Sequence, residues 1–277
     1  RQIFAITRGS KTDGHVMSKI TTKSYQEHFE QRGTAYEQAM RSFPAARDEE
    51  FMQVIRASRI VSSPSPQQLT VADVPSGGGY LRPYLPAHCR WLGHEPCASF
   101  HHQTASNERS NQPLLPLPWQ TSTIDVVISL AGLHHVEDKT ALFREFHRVL
   151  KANGELVISD VATDSKVASF LDDYVGAHNS TGHDGIYLDD STLTELETAN
   201  FTVTSRKQEY FLWKFNNKQV MADFCHRLFD LQSSSRIATL KAIECYLGTV
   251  SITPQQVGMN WSLTTIRAVP KARNIEG

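Results

Sequence analysis

Residues 123–161 read TIDVVISLAGLHHVEDKTALFREFHRVLKANGELVISDV. TIDVVISL (123–130) is an apolar run of strand length, rich in β-branched residues on both faces. That pattern marks a strand buried from both sides. From Asp138 the period changes. Leu142, Phe143, Phe146, Val149 and Leu150 fall on one face of a helix expected over 138–154, with Asn153–Gly154 as its end. GELVISDV (154–161) is a second buried strand. Strand, helix, strand is a βαβ unit, and such units imply a mostly parallel sheet.

Working outward, LTVADV (69–74) is a short buried strand, and the glycine turn of PSGGG (75–79) follows it. YLRPYLPAHC (80–89) allows only a short, irregular helix, because Pro83 and Pro86 interrupt it. RWLGHE (90–95) is a second strand, and the polar stretch 101–113 reads as a loop. Towards the C-terminus, 201–213 and 260–269 are strands flanking a helical block. Residues 24–60 carry helical spacing, with interruptions at Gly33 and Pro44. The expected organisation is a disordered extension over 1–17, a helical cap over 18–60, and one domain over 61–277 with a helical insertion at about 214–250.

Composition narrows the function. The chain has 277 residues, 40% hydrophobic and 21% charged, with a formal net charge of −1. Such neutrality argues against nucleic acid as the partner. No apolar run approaches the ~18–20 residues that span a bilayer. The four cysteines, Cys89, Cys97, Cys225 and Cys245, form no C-x-x-C pair. Neither zinc nor a disulfide framework is expected, and scattered thiols suit the cytoplasm.

Three consecutive glycines, Gly77, Gly78 and Gly79, raise the question of what approaches the backbone there. A dinucleotide site requires G-x-G-x-x-G, and counting from Gly77 and Gly79 puts Arg82 at the third position. A nicotinamide-dependent oxidoreductase is therefore the weaker reading. The alternative pattern is acid-x-Gly-x-Gly-x-Gly. The chain supplies Asp73, Gly77 and Gly79, with Pro75 in place of the first glycine and Ser76 beside it.

This turn, with the 123–161 block, resembles motif I and the core of class I S-adenosylmethionine (SAM)-dependent methyltransferases. The nearest general likeness is to the small-molecule enzymes of the ubiquinone/menaquinone type. The resemblance covers roughly residues 68–161. It implies a doubly wound, Rossmann-like, mostly parallel seven-stranded sheet with an antiparallel last strand and helical caps. It also implies SAM as cofactor, S-adenosylhomocysteine (SAH) as product, and methyl transfer to a small molecule. By the same resemblance, Asp73 lies near the methionine amino group and Glu95 accepts from the ribose hydroxyls. Asn111 stands where relatives carry an acid facing adenine, and Leu114 opens the LLPLPW segment (114–119) that precedes the fourth strand. Ser129, Leu130 and Ala131 end that strand and line the cofactor, and Tyr36 matches an aromatic lid. The altered motif keeps a non-catalytic SAM-binding or partner-binding module as the second reading.

For the chemistry, His134, His178 and His183 are the candidate general bases, since imidazole titrates near pH 7. The neighbouring His134–His135 is not read as a metal pair, for want of further ligands. Phe211, Trp213, Phe215 and Phe224 suggest an apolar or aromatic acceptor.

Overall fold

A computed structural model describes residues 25–61, 68–100 and 108–272. The expected extension over 1–17 and most of the 101–113 loop lie outside them. Strands β1 (Leu69–Asp73), β2 (Cys89–His94), β3 (Arg109–Ser110), β4 (Ile124–Leu130) and β5 (Leu150–Asp160) run parallel. β6 (Phe201–Phe215), β7 (Thr249–Thr253) and β8 (Gln256–Pro270) are antiparallel additions. The order is β3-β2-β1-β4-β5-β8-β6, with β7 pairing on β8. The sheet thus has eight strands rather than the expected seven. β7 is a short edge strand whose alternating Val250 and Ile252 stay exposed, so no buried face marks it as part of the sheet.

The two-sided burial expected of the central strands is present. Val71, Val126, Ile128 and Val157 face one core, and Ala72, Val127, Leu156 and Ile158 face the other. Alternate side chains of an extended strand point to opposite faces, so a strand covered twice must be apolar throughout. The second face is covered by α3 (Lys139–Val149) and α6 (Asp190–Thr198). Asp138 caps α3 by accepting from the Ala141 N–H at 2.8 Å. α3 ends at Val149, four residues before the expected Asn153 stop. Leu150 already pairs with Ile124 as the first residue of β5, so strand pairing overrides helical periodicity there.

The first face is covered by α1 (Tyr25–Ser42), α2 (Asp48–Ala57), α7 (Lys218–Leu228) and α8 (Arg236–Ala242). Between the two sets lie α4 (Lys166–Ser169), a π turn over Phe170–Val175, and α5 (Gly176–His178). α1 passes straight through Gly33. A Cβ there would lie 2.1 Å from Ser99 Oγ, and that hydroxyl donates to the Phe29 carbonyl at 2.7 Å. The glycine permits close packing instead of breaking the helix. α2 docks through a buried polar contact, in which Gln53 Nε2 donates to Ser159 Oγ at 2.8 Å.

Strand order reverses between β1 and β4. In open α/β sheets the crevice at that switch, beyond the carboxyl ends of the strands, is where ligands bind. Asp73 and Leu130 end those two strands.

Candidate active site

The glycine turn begins where β1 stops. Gly77 and Gly79 hold φ of +50° and +77°, a region costly for side chains with a Cβ. The Gly77 N–H donates to Glu95 Oε2 at 2.8 Å. The same oxygen accepts from Tyr25 Oη at 2.8 Å, and Oε1 accepts from the Cys97 N–H at 2.9 Å. Glu95 is fully buried, and burial raises its pKa despite these donors. Asp73, nearby, accepts from Trp91 Nε1 at 3.1 Å. Burial pushes its pKa up to about 7, with the Glu95 charge adding to the rise. Arg109 donates to the Gly77 carbonyl. Two buried carboxylates beside one glycine turn form a site suited to a cationic ligand.

A second group is built at the end of β5. Asp160 is fully buried and accepts from the backbone N–H groups of Leu133 and Val161, each at 2.7 Å. His134 Nδ1 donates to Asp160 Oδ1 at 2.6 Å. Burial alone would raise Asp160, but His134 and the backbone donors hold it below the usual carboxylate range. This pairing fixes the imidazole and directs Nε2 away from the carboxylate. His183 joins from the loop after α5, its ring centroid 5.5 Å from that of His134 and 5.2 Å from that of His135. His183 Nδ1 is itself within 3.1 Å of Asp172 Oδ1. Burial lowers His183 to about 4, so its ring is neutral at pH 7. No local pattern joins these three histidines; the fold adds His183 to the His134–His135 pair and brings one nitrogen of each within 4.8 Å of the others.

Two small cavities, each of about 60 Å³, adjoin here. The first is lined by Asp73, Pro75, Ser76, Gly77, Leu130 and Tyr25. The second is lined by His134, His135, His183, Arg32, Trp213 and Trp261. Phe29, Tyr36, Arg47 and Ala131 line both. Of the expected cofactor residues, Tyr36, Asp73, Pro75, Ser76, Gly77, Leu130 and Ala131 line the first cavity, while Glu95 lies fully buried behind Gly77. Two of the three candidate bases, His134 and His183, line its neighbour.

Several expected residues lie elsewhere. His178 faces Ser233 at 3.1 Å on the surface and lines neither cavity. Asn111 is exposed. Leu114 packs into the second core and offers its carbonyl to His94. Ser129 is buried behind the strand end, and Gly78 and Gly79 line an outer groove with Tyr84. Conversely, Tyr25, Arg32 and Asp160 belong to the site without having been expected. Tyr25, Phe29, Arg32 and Tyr36 recur on one face of α1 at helical spacing, which is the signal that was available.

Tyr25 occupies Glu95 Oε2 at 2.8 Å, so a ligand hydroxyl bound by that carboxylate, as the motif resemblance implies for the ribose, must compete with it. Tyr25→Phe should therefore tighten SAM binding about threefold to tenfold, the equivalent of one modest hydrogen bond. Calorimetry would check this, and weaker binding would make Tyr25 a ligand contact instead.

Comparison with known proteins bears on the family and the fold. Residues 72–158 match a family model described as a methyltransferase domain. Residues 72–158 are a class I SAM-dependent methyltransferase domain. SAM is the methyl donor of such domains and SAH the product. The uncharacterized protein YafE of Escherichia coli (strain K12) is 27% identical over 136 residues, which is 46% of this chain. That match spans 65% of YafE, just under two thirds. The methyltransferase domain also superposes on solved structures. A SAM-dependent methyltransferase of Thermotoga maritima gives a TM-score of 0.53 at 13% identity, covering 89% of this chain and 100% of that one. The YcgJ protein of Bacillus subtilis gives 0.51 at 12% identity, covering 82% and 100%. These likenesses concern the fold. No helix among the described residues is long and apolar enough to cross a membrane.

Proposed function

We propose that the chain methylates a small-molecule acceptor, using SAM as donor. One observation carries this reading. The glycine-turn cavity and the histidine-lined cavity share the walls Phe29, Tyr36, Arg47 and Ala131. Donor and acceptor held in adjoining cavities meet without diffusing.

The donor side suits SAM in charge and shape. Glu95 would accept from the ribose hydroxyls, and Asp73 would face the methionine ammonium. A Cβ at Gly77 would meet only the Tyr80 ring at 3.6 Å, so the glycine is required there by its φ of +50° rather than by space. SAM supplies an activated methyl on a sulfonium. The protein's part is alignment, exclusion of water and handling of one proton. His134, oriented by Asp160, would remove the acceptor's proton where the acceptor is a hydroxyl or similar group. At about 60 Å³ each, the cavities are well below the ~300–1,000 Å³ of small-molecule sites. The aromatic face of α1 must therefore draw back to admit the cofactor. Four unpaired thiols support a reducing compartment such as the cytoplasm.

The test is calorimetric titration with SAM and SAH at several pH values. A bound ammonium favours ionised Asp73, whose pKa in the free protein stands at about 7. The free site holds the proton below that pH and must release it on binding. Affinity should therefore fall as pH drops from 7.5 to 5.5, by up to about tenfold per unit. Repeating the titration in buffers of different ionisation enthalpy should reveal the released proton. Asp73→Asn should flatten the dependence. Failure of both ligands to bind, with NADH binding instead, would overturn the reading.

A further inference from the structure

The second cavity contains a charge that no acid among the described residues pairs with. Arg32 is only 3% exposed, and its Nε and Nη1 are buried without a hydrogen bond among the described residues. Its guanidinium carbon lies 5.6 Å from the centroid of the Phe29 ring. The acid acting most on it is Asp230. That carboxylate instead accepts from Ser180 Oγ at 2.7 Å and from Gln232. Arg47, in the same wall, differs fundamentally, because Glu50 neutralises it at 2.6 Å. Burial lowers Arg32 only to about 10, so it stays cationic at pH 7. A buried, uncompensated charge is strongly destabilising. Folding retains such a group where a ligand completes it.

We propose that Arg32 anchors an anionic group of the methyl acceptor, and that the acceptor is a small aromatic or apolar carboxylic acid. The inference rests on the methyltransferase reading of the adjoining cavity. The walls supply the apolar half of the recognition. Trp213 and Trp261 stack with centroids 4.2 Å apart, and Phe229 lies against both. The charge count favours a carboxylate over a phosphate dianion. Arg32 provides one positive charge, and neutral His183 provides none. The guanidinium fork matches two carboxylate oxygens. The three histidines also have spacing suited to a metal ion. Arg32 stands close enough to depress His183 electrostatically, and that field opposes a dication as it welcomes an anion.

The test uses SAH-saturated protein and matched probes: 4-hydroxybenzoate and indole-3-acetate against their neutral amides. Calorimetry should show each acid that binds doing so ~10- to 100-fold tighter than its amide, the range for a charge-assisted pair. Arg32→Met should abolish this preference, and Arg32→Lys should keep part of it. SAH affinity should stay within about threefold throughout. Without acceptor, Arg32→Met should raise the melting temperature, since it removes an unanswered buried charge. Equal affinity for acids and amides, no binding of either acid, or a preference that survives in Arg32→Met overturns the proposal. So does a melting temperature lowered by Arg32→Met, which would make Arg32 structural. Loss of SAH binding by the unmodified protein would instead remove the methyltransferase reading beneath it.

Discussion

Asp160→Asn should lower kcat for methyl transfer by roughly 100- to 10,000-fold, the contribution of a positioned general base, while leaving SAH affinity within about threefold. The carboxylate holds the His134 Nδ1 proton at 2.6 Å, so Nε2 is the basic nitrogen. An amide at 160 can present its NH₂ to the ring and favour the opposite tautomer, as in other oriented imidazoles. The fold must be checked, because Asp160 also accepts from Leu133, His134 and Val161. Additivity separates the two explanations. If the pair acts as a unit, Asp160→Asn combined with His134→Gln should cost little more than either change alone. Losses that multiply, or a parallel loss of SAH binding, would show that Asp160 only supports the loop. The rate would be read with methyl-labelled SAM and an acceptor found by mass-spectrometric screening.

Glu95→Ala should weaken SAM and SAH binding by at least about 100-fold. Two hydrogen bonds to a charged acceptor account for ~3–6 kcal/mol. The substitution also orphans the Gly77 and Cys97 N–H groups and the Tyr25 hydroxyl, so some affinity would be lost to loosening of the turn. A ribose-specific control distinguishes the terms. Removing the 2′-hydroxyl of SAH should cost the unmodified protein about tenfold and the variant almost nothing. An equal cost in both proteins would place the ribose elsewhere.

The fold was legible where burial imposes a period. β1, β4 and β5 lie between two cores, so each is a continuous apolar run. The glycine turn was legible because two of its residues need a left-handed backbone. The ends of elements were less so. Leu150 satisfies both the helix stripe and the strand, and only its pairing with Ile124 decides between them. The histidine cluster was hidden for another reason. His183 reaches His134 through a loop that closes over the sheet, with the Ile186 N–H donating to the His134 carbonyl at 2.9 Å. No local pattern encodes such a contact. Arg32 was visible in principle, as a lone cation within an apolar helical stripe. A stripe position predicts burial, but only the packed structure shows that the charge goes unmatched.

α1 bears on both ligands at once. Tyr25, near its start, sits on the carboxylate assigned to the ribose, and Arg32, two turns later, enters the acceptor cavity. A helix moves largely as one rod, so displacing Tyr25 re-aims Arg32. The two binding equilibria then share one mechanical degree of freedom, and linkage requires reciprocity: whatever factor the donor applies to acceptor affinity, the acceptor applies to the donor's. An occupant that holds the helix outward therefore eases entry of the other.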